Sequence, residues 1–107
     1  MNDQKRDHFR VVFPPEDRPT LKVDGILLTV LDLSEFGSRI AKDSWAANIG
    51  DKIRGMVTFP DDSTYDIVGE VVRIEDESNE VAISFDIGIP LPKMMEQQRY
   101  LIQKYKN

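Results

Sequence analysis

The sequence predicts a mainly β protein: a six-stranded antiparallel β-barrel with a C-terminal α-helix. Three observations predict it. Short segments across residues 20–89 alternate apolar and polar side chains with a period of two, the pattern of half-buried strands. Turn-forming Gly, Asp, Asn and Pro residues separate these segments. Only beyond Pro90 does the apolar period change to that of a helix. Strands this short expose unpaired edges, and closing the sheet on itself removes them, which favours a barrel over an open sheet.

The elements follow in order. Residues 1–19 read as a flexible basic arm, charged at first and then punctuated by Pro14, Pro15 and Pro19, which exclude a helix and push their neighbours towards extended geometry. A first strand is expected at Thr20–Val23, and Asp24-Gly25 is a type I′ hairpin signal. Ile26–Leu33 is a nearly continuous apolar run and reads as the second strand. Gly37 ends the next turn, and Ser38–Ala41 is a short strand. Residues 43–51 form a loop in which Trp45 is read as a packing residue. Lys52–Phe59 alternates again, and Pro60-Asp61-Asp62-Ser63 is a turn. Thr64–Ile74 is a long strand with Tyr65, Ile67, Gly69, Val71 and Arg73 expected on one side. Residues 75–80 are a polar turn before a last strand at Val81–Phe85. In the helix, Leu91, Met94, Met95, Gln98, Leu101, Ile102 and Tyr105 share one stripe, with Pro92 in the first turn, where proline is favoured. The expected organisation is a single domain: arm 1–19, barrel 20–89 and helix 91–106.

Composition excludes several function classes. At 107 residues with 40% hydrophobic content, one ordinary core is expected. There is no cysteine, so no disulfide framework and no thiolate metal site is expected, in keeping with a reducing, cytoplasmic setting. No apolar run approaches the roughly 20 residues of a membrane span, and the charged first ten residues are unlike a secretory signal. The net charge is −5. Residues 23–92 carry five basic and fourteen acidic side chains, whereas residues 93–107 carry four basic and one acidic. That distribution argues against binding a nucleic-acid polymer. A lone histidine, His8, cannot build a zinc site, and the acidic residues 75–80 miss the spacing of a calcium loop. No nucleophile-and-base arrangement is visible, so no catalytic residue, resident cofactor or enzymatic activity is expected.

Two short motifs remain: Arg6-Asp7-His8-Phe9-Arg10 and Asp32-Leu33-Ser34-Glu35-Phe36-Gly37. Arginine forks suit phosphates and the acceptor edge of guanine. A carboxylate suits guanine's N–H donors. Glycine allows a sharp turn or a close approach. One anionic, guanine-bearing ligand would satisfy all of them.

In this order the motifs resemble the RxxxR and (D/N)xSxxG signature of the PilZ domain family, the bacterial receptor module for cyclic di-GMP. Arg6 and Arg10 match the first half; Asp32, Ser34 and Gly37 match the second. The resemblance extends over nearly the whole chain and implies a six-stranded barrel with a C-terminal helix. It implies that Arg6 and Arg10 grip phosphates and a guanine, that Asp32 accepts from guanine N–H groups, and that Ser34 contacts phosphate or base. Gly37 would keep the turn free of a Cβ. Lys5 stands where family members often carry Arg and would help hold a second ligand molecule. Strand alternation turns Leu33 to the core and Asp32 and Ser34 together towards the arm.

The expected function is a cyclic di-GMP receptor whose arm orders on binding and whose changed surface an effector protein reads. The alternative is a PilZ-like protein–protein adaptor without a ligand.

Overall fold

Six strands close into an antiparallel barrel, and a seventh, at the N-terminal end, extends the pairing along one edge of the strand that closes it. The computed structural model describes residues 9–106. Its strands are β1 (Arg10–Val12), β2 (Thr20–Val23), β3 (Ile26–Ser34), β4 (Gly37–Ala41), β5 (Lys52–Thr58), β6 (Thr64–Glu75) and β7 (Glu80–Ile87), followed by α1 (Leu91–Tyr105). The hydrogen-bonded order is β1-β3-β2-β5-β6-β7-β4, and β3 also pairs with β4 to close the barrel. The mainly β expectation therefore holds.

The local reasons match the sequence. Asp24 and Gly25 both have positive φ, as a type I′ turn requires, and they hold the Val23↔Ile26 register between β2 and β3. Inward positions of every barrel strand meet in one core, including Leu21, Val30, Leu33, Ile40, Val57, Ile67, Val71 and Val81. Trp45 packs at the edge of that core.

The arm differs from its expectation. Residues 10–12 form β1 on β3, with Val11 opposite Leu33, and a 3-10 turn follows at Pro15–Asp17. Val11 and Phe13 are almost fully buried. Full burial of such side chains contributes about 1.5–3 kcal/mol each, which offsets part of the cost of ordering the backbone. The prolines exclude a long helix but neither an extended strand nor a single 3-10 turn, whose first position accepts proline.

The helix is rotated relative to the expected stripe. Its buried positions are Lys93, Met94 and Gln97, with Leu101 partly buried, while Leu91, Met95, Ile102 and Tyr105 stay exposed. The barrel contact is narrow, so half of the apolar stripe has no room against it. Lys93 enters the contact because its ammonium reaches Asp61 and Glu96, each at 3.0 Å, and lies 5.0 Å above the Phe59 ring. Burial alone would lower its pKa, but the two carboxylates more than offset this and hold it above the ordinary lysine value.

A second ionic anchor fastens the far end of the helix. Asp17 is only 3% exposed. Its carboxylate accepts from Tyr105 Oη at 2.6 Å, Lys104 Nζ at 3.0 Å and Tyr100 Oη at 3.4 Å. The Tyr105 bond is the main cause that keeps the Asp17 pKa below the usual carboxylate value, against the opposing effect of burial. A group with a depressed folded-state pKa contributes stability above its unfolded pKa and loses it as pH falls through the folded one. Asp17→Asn is therefore expected to lower stability by about 2 kcal/mol at neutral pH, the size of hydrogen bonds to a charged group. Chemical denaturation across pH should show that gap full above pH about 4 and narrowing below it.

Candidate functional site

Two β-bulges build the site. Between Val30 and Asp32 the β3–β4 register slips by one residue, so Leu31 is extra. Without it, Asp32 would share the inward parity of Val30, because side chains alternate strictly along a strand. With it, Val30 and Leu33 both face the core, and Asp32 and Ser34 turn to the outer surface of the barrel. Between Val71 and Arg73 the β6–β7 register slips in the same way, making Val72 extra. Val71 therefore stays in the core, whereas Arg73 turns outwards. This corrects the expectation that Arg73 shares a side with Ile67, Gly69 and Val71.

Cross-strand pairing then lines these positions up. One outer row runs Val12, Asp32, Arg39, Ala82, Arg73 across β1, β3, β4, β7 and β6. The next runs Arg10, Ser34, Gly37, Ser84, Glu70. Between them lies a cleft of about 300 Å³. Its floor is made of small residues, Gly37, Ala82 and Ser84, and arginines 10, 39 and 73 stand around it. Phe36 and Val72 add apolar surface at the rim.

Asp32 is the electrostatic centre and is 3% exposed. Its Oδ1 accepts from the Arg39 backbone N–H at 3.0 Å, and its Oδ2 accepts from Arg39 Nε at 2.6 Å. Arg10 Nη1 lies 3.6 Å from the same Oδ2. The Asp32 bond is the main cause that raises the Arg39 pKa, so this guanidinium remains charged. Arg39 also approaches Glu80 at 3.4 Å, and Arg73 pairs with Glu75 at 2.9 Å.

Each residue expected from the motif has a definite place. Arg10, Asp32, Ser34 and Gly37 all line the one cleft. Lys5, Arg6 and His8 lie outside the described residues. Ser34 shapes the turn: its Oγ accepts from Phe36 N–H at 3.2 Å and reaches the Gly37 carbonyl at 3.4 Å. Gly37 has no left-handed φ. A Cβ there would sit 2.6 Å from the Ile83 carbonyl oxygen, so glycine is required by the close approach of β7. Arg39 was not singled out from the sequence, although it stands two residues beyond Gly37, where alternation puts it on the outer face. Among the described residues, no group of three or more His, Cys, Asp or Glu side chains is placed to hold a metal ion, and no helix is long and apolar enough to cross a membrane.

Comparison with known proteins bears on this geometry. Residues 4–103 match the family model of the PilZ domain. No curated protein matches the chain. A crystal structure of an uncharacterized protein from Legionella is similar, with a TM-score of 0.61 and 18% identity, covering 92% of this chain and 99% of that one. The Bacillus subtilis inhibitor of motility, MotI/DgrA, is similar with a TM-score of 0.55 and 15% identity, covering 97% of this chain. This chain spans about half of that protein, 51% of its length. At such identities these likenesses concern the fold.

Two outcomes follow from the contacts around Asp32. Arg39→Ala removes the side-chain partner of a buried carboxylate and should destabilise the protein by about 1–3 kcal/mol in urea titration. Gly37→Ala should lower the thermal midpoint as well and weaken amide-exchange protection along β4 and β7, because the added Cβ meets backbone that cannot turn aside.

Proposed function

The chain belongs to the PilZ domain family, and from that premise we propose that it is a receptor for cyclic di-GMP that signals through a partner protein. One observation carries the reading: Arg10, Asp32, Ser34 and Gly37, drawn from β1, β3 and β4, line a single cleft on the barrel surface. The chemistry of the lining fits this ligand. Guanine presents N–H donors that a carboxylate accepts, and its O6 and N7 suit an arginine fork. The two phosphodiesters are anions that guanidinium groups hold by charge-assisted bonds. Small side chains on the floor leave room for a flat purine.

Binding in this reading is an exchange of partners. Asp32 is covered by Arg39 and Arg10. Arg10 has a side chain 56% exposed and sits 3.6 Å from the carboxylate, against 2.6 Å for the Arg39 bond, so Arg10 is the partner that gives way. The guanine N–H groups then take the vacated side of Asp32, and Arg10 turns to the ligand. The Arg39 backbone N–H keeps the carboxylate oriented throughout. Arg6 and Lys5 complete the cationic side, with Lys5 as a point charge for a second ligand molecule. Movement of the segment before β1 remodels the rim of the cleft, and that changed surface is what a partner reads. The role is that of a receptor and not of a catalyst.

The second reading, a ligand-free adaptor, draws on one observation: the acceptors of Asp32 already have partners within the chain. Calorimetric titration with cyclic di-GMP separates the two. The receptor reading expects saturable binding, weakened about tenfold or more in Arg10→Ala and Asp32→Ala, since a good bidentate contact is worth about 1–3 kcal/mol. Absence of binding at micromolar to millimolar ligand would leave the adaptor.

A further inference from the structure

We infer that the cleft has a second cationic wall opposite Arg10, in which Arg73, assisted by Arg39, binds a phosphate of the ligand; the inference rests on the receptor reading above. Nothing in the two sequence motifs assigns this wall.

The geometry is specific. Arg39 and Arg73 are both cross-strand neighbours of Ala82, one on each side of β7. Their Cα atoms are thus two strand spacings apart, about 10 Å. Alanine between them fills little of that gap, so two guanidinium groups can converge on one anion above it. Arg73 faces this gap only because the Val72 bulge reverses its parity.

The energetics favour a binding role over a structural one. The side chain of Arg73 is 57% exposed, and its carboxylate partner, Glu75, is 47% exposed. An ion pair so open to water is worth about 0–1 kcal/mol, so it stabilises the fold little and gives way cheaply to a phosphate. Arg39 differs: its Nε bond to the buried Asp32 ties it to the fold, and its Nη1 meets Glu80 at 3.4 Å, so the other Nη hydrogens are the donors it can offer an anion. Arg73 is therefore the movable member of the wall and Arg39 the fixed one. The neighbouring acids define what an anion must displace. Glu75 and Glu80 pair across β6 and β7 on the adjoining outer row, so in the absence of an anion Arg73 is held towards this acidic edge.

Glu75 consequently acts as an internal competitor for Arg73. The test is calorimetric titration of the full chain with cyclic di-GMP for wild type, Arg73→Ala, Glu75→Ala and the double variant. The inference expects Arg73→Ala to weaken binding about tenfold, as loss of a charge-assisted contact does. It expects Glu75→Ala to tighten binding by up to about fivefold, matching the release of an exposed ion pair. That gain must vanish in the Arg73→Ala background, which distinguishes release of Arg73 from mere removal of negative charge. Affinity unchanged by Arg73→Ala, or an undiminished Glu75→Ala gain in the double variant, overturns the second wall. If Arg10→Ala still weakens binding in that case, the receptor reading stands without it. No binding by wild type removes both. Should Arg73→Ala fail to fold, Arg73→Gln takes its place in the same cycle.

Discussion

The reversal of side-chain parity at two β-bulges is the constraint on which the rest of this structure depends. A regular strand cannot put Val30 and Leu33 into the core and Asp32 and Ser34 outside it. One inserted residue, Leu31, does so by letting the register with β4 slip. Val72 performs the same service on β6 for Val71 and Arg73. The core keeps an unbroken apolar lining while the outer surface gains a carboxylate and an arginine at positions that strict alternation would have sent inside. Bulges recur beside functional sites for this reason, since they re-aim individual side chains without cutting the sheet.

Charge organises what the bulges expose. Asp32 is nearly inaccessible, and a buried carboxylate without partners would be costly. Arg39 resolves this with one backbone and one side-chain donor, while Arg10 adds a looser contact from the rim. The segment after β1 is tied down by a second buried acid, Asp17, which gathers Tyr100, Lys104 and Tyr105 of the helix. Residues 10–17 are therefore strung between the cleft and the C-terminal end of the helix. Two kinds of interaction, apolar burial of Val11 and Phe13 and ion pairing at either end, hold one short segment against the barrel.

Much of this was legible in the sequence. Strand positions were readable because alternation and turn chemistry are local properties, and the Asp24-Gly25 hairpin illustrates both. The motif residues Arg10, Asp32, Ser34 and Gly37 converge on one cleft, as the resemblance to the PilZ family implies. The arm was harder to read: prolines and charges mark residues 1–19 as irregular, yet Val11 and Phe13 find apolar partners only once the barrel exists. The helix stripe failed for a related reason. Periodicity shows which residues share a face, but the width of the surface that receives it decides how much of that face is buried.

The sequence by itself determined the class of fold, the order of its elements and the chemical character of the two motifs, because short-range periodicity, turn residues and side-chain type are written along the chain. Tertiary structure alone decided that Arg39 and Arg73 flank the same alanine, that Gly37 is demanded by the Ile83 carbonyl, and that Asp32 is already partnered. Those facts arise from register between strands distant in sequence. A slip of one residue exchanges the faces of a strand, and where it falls is set by the partner strand and not by neighbours along the chain.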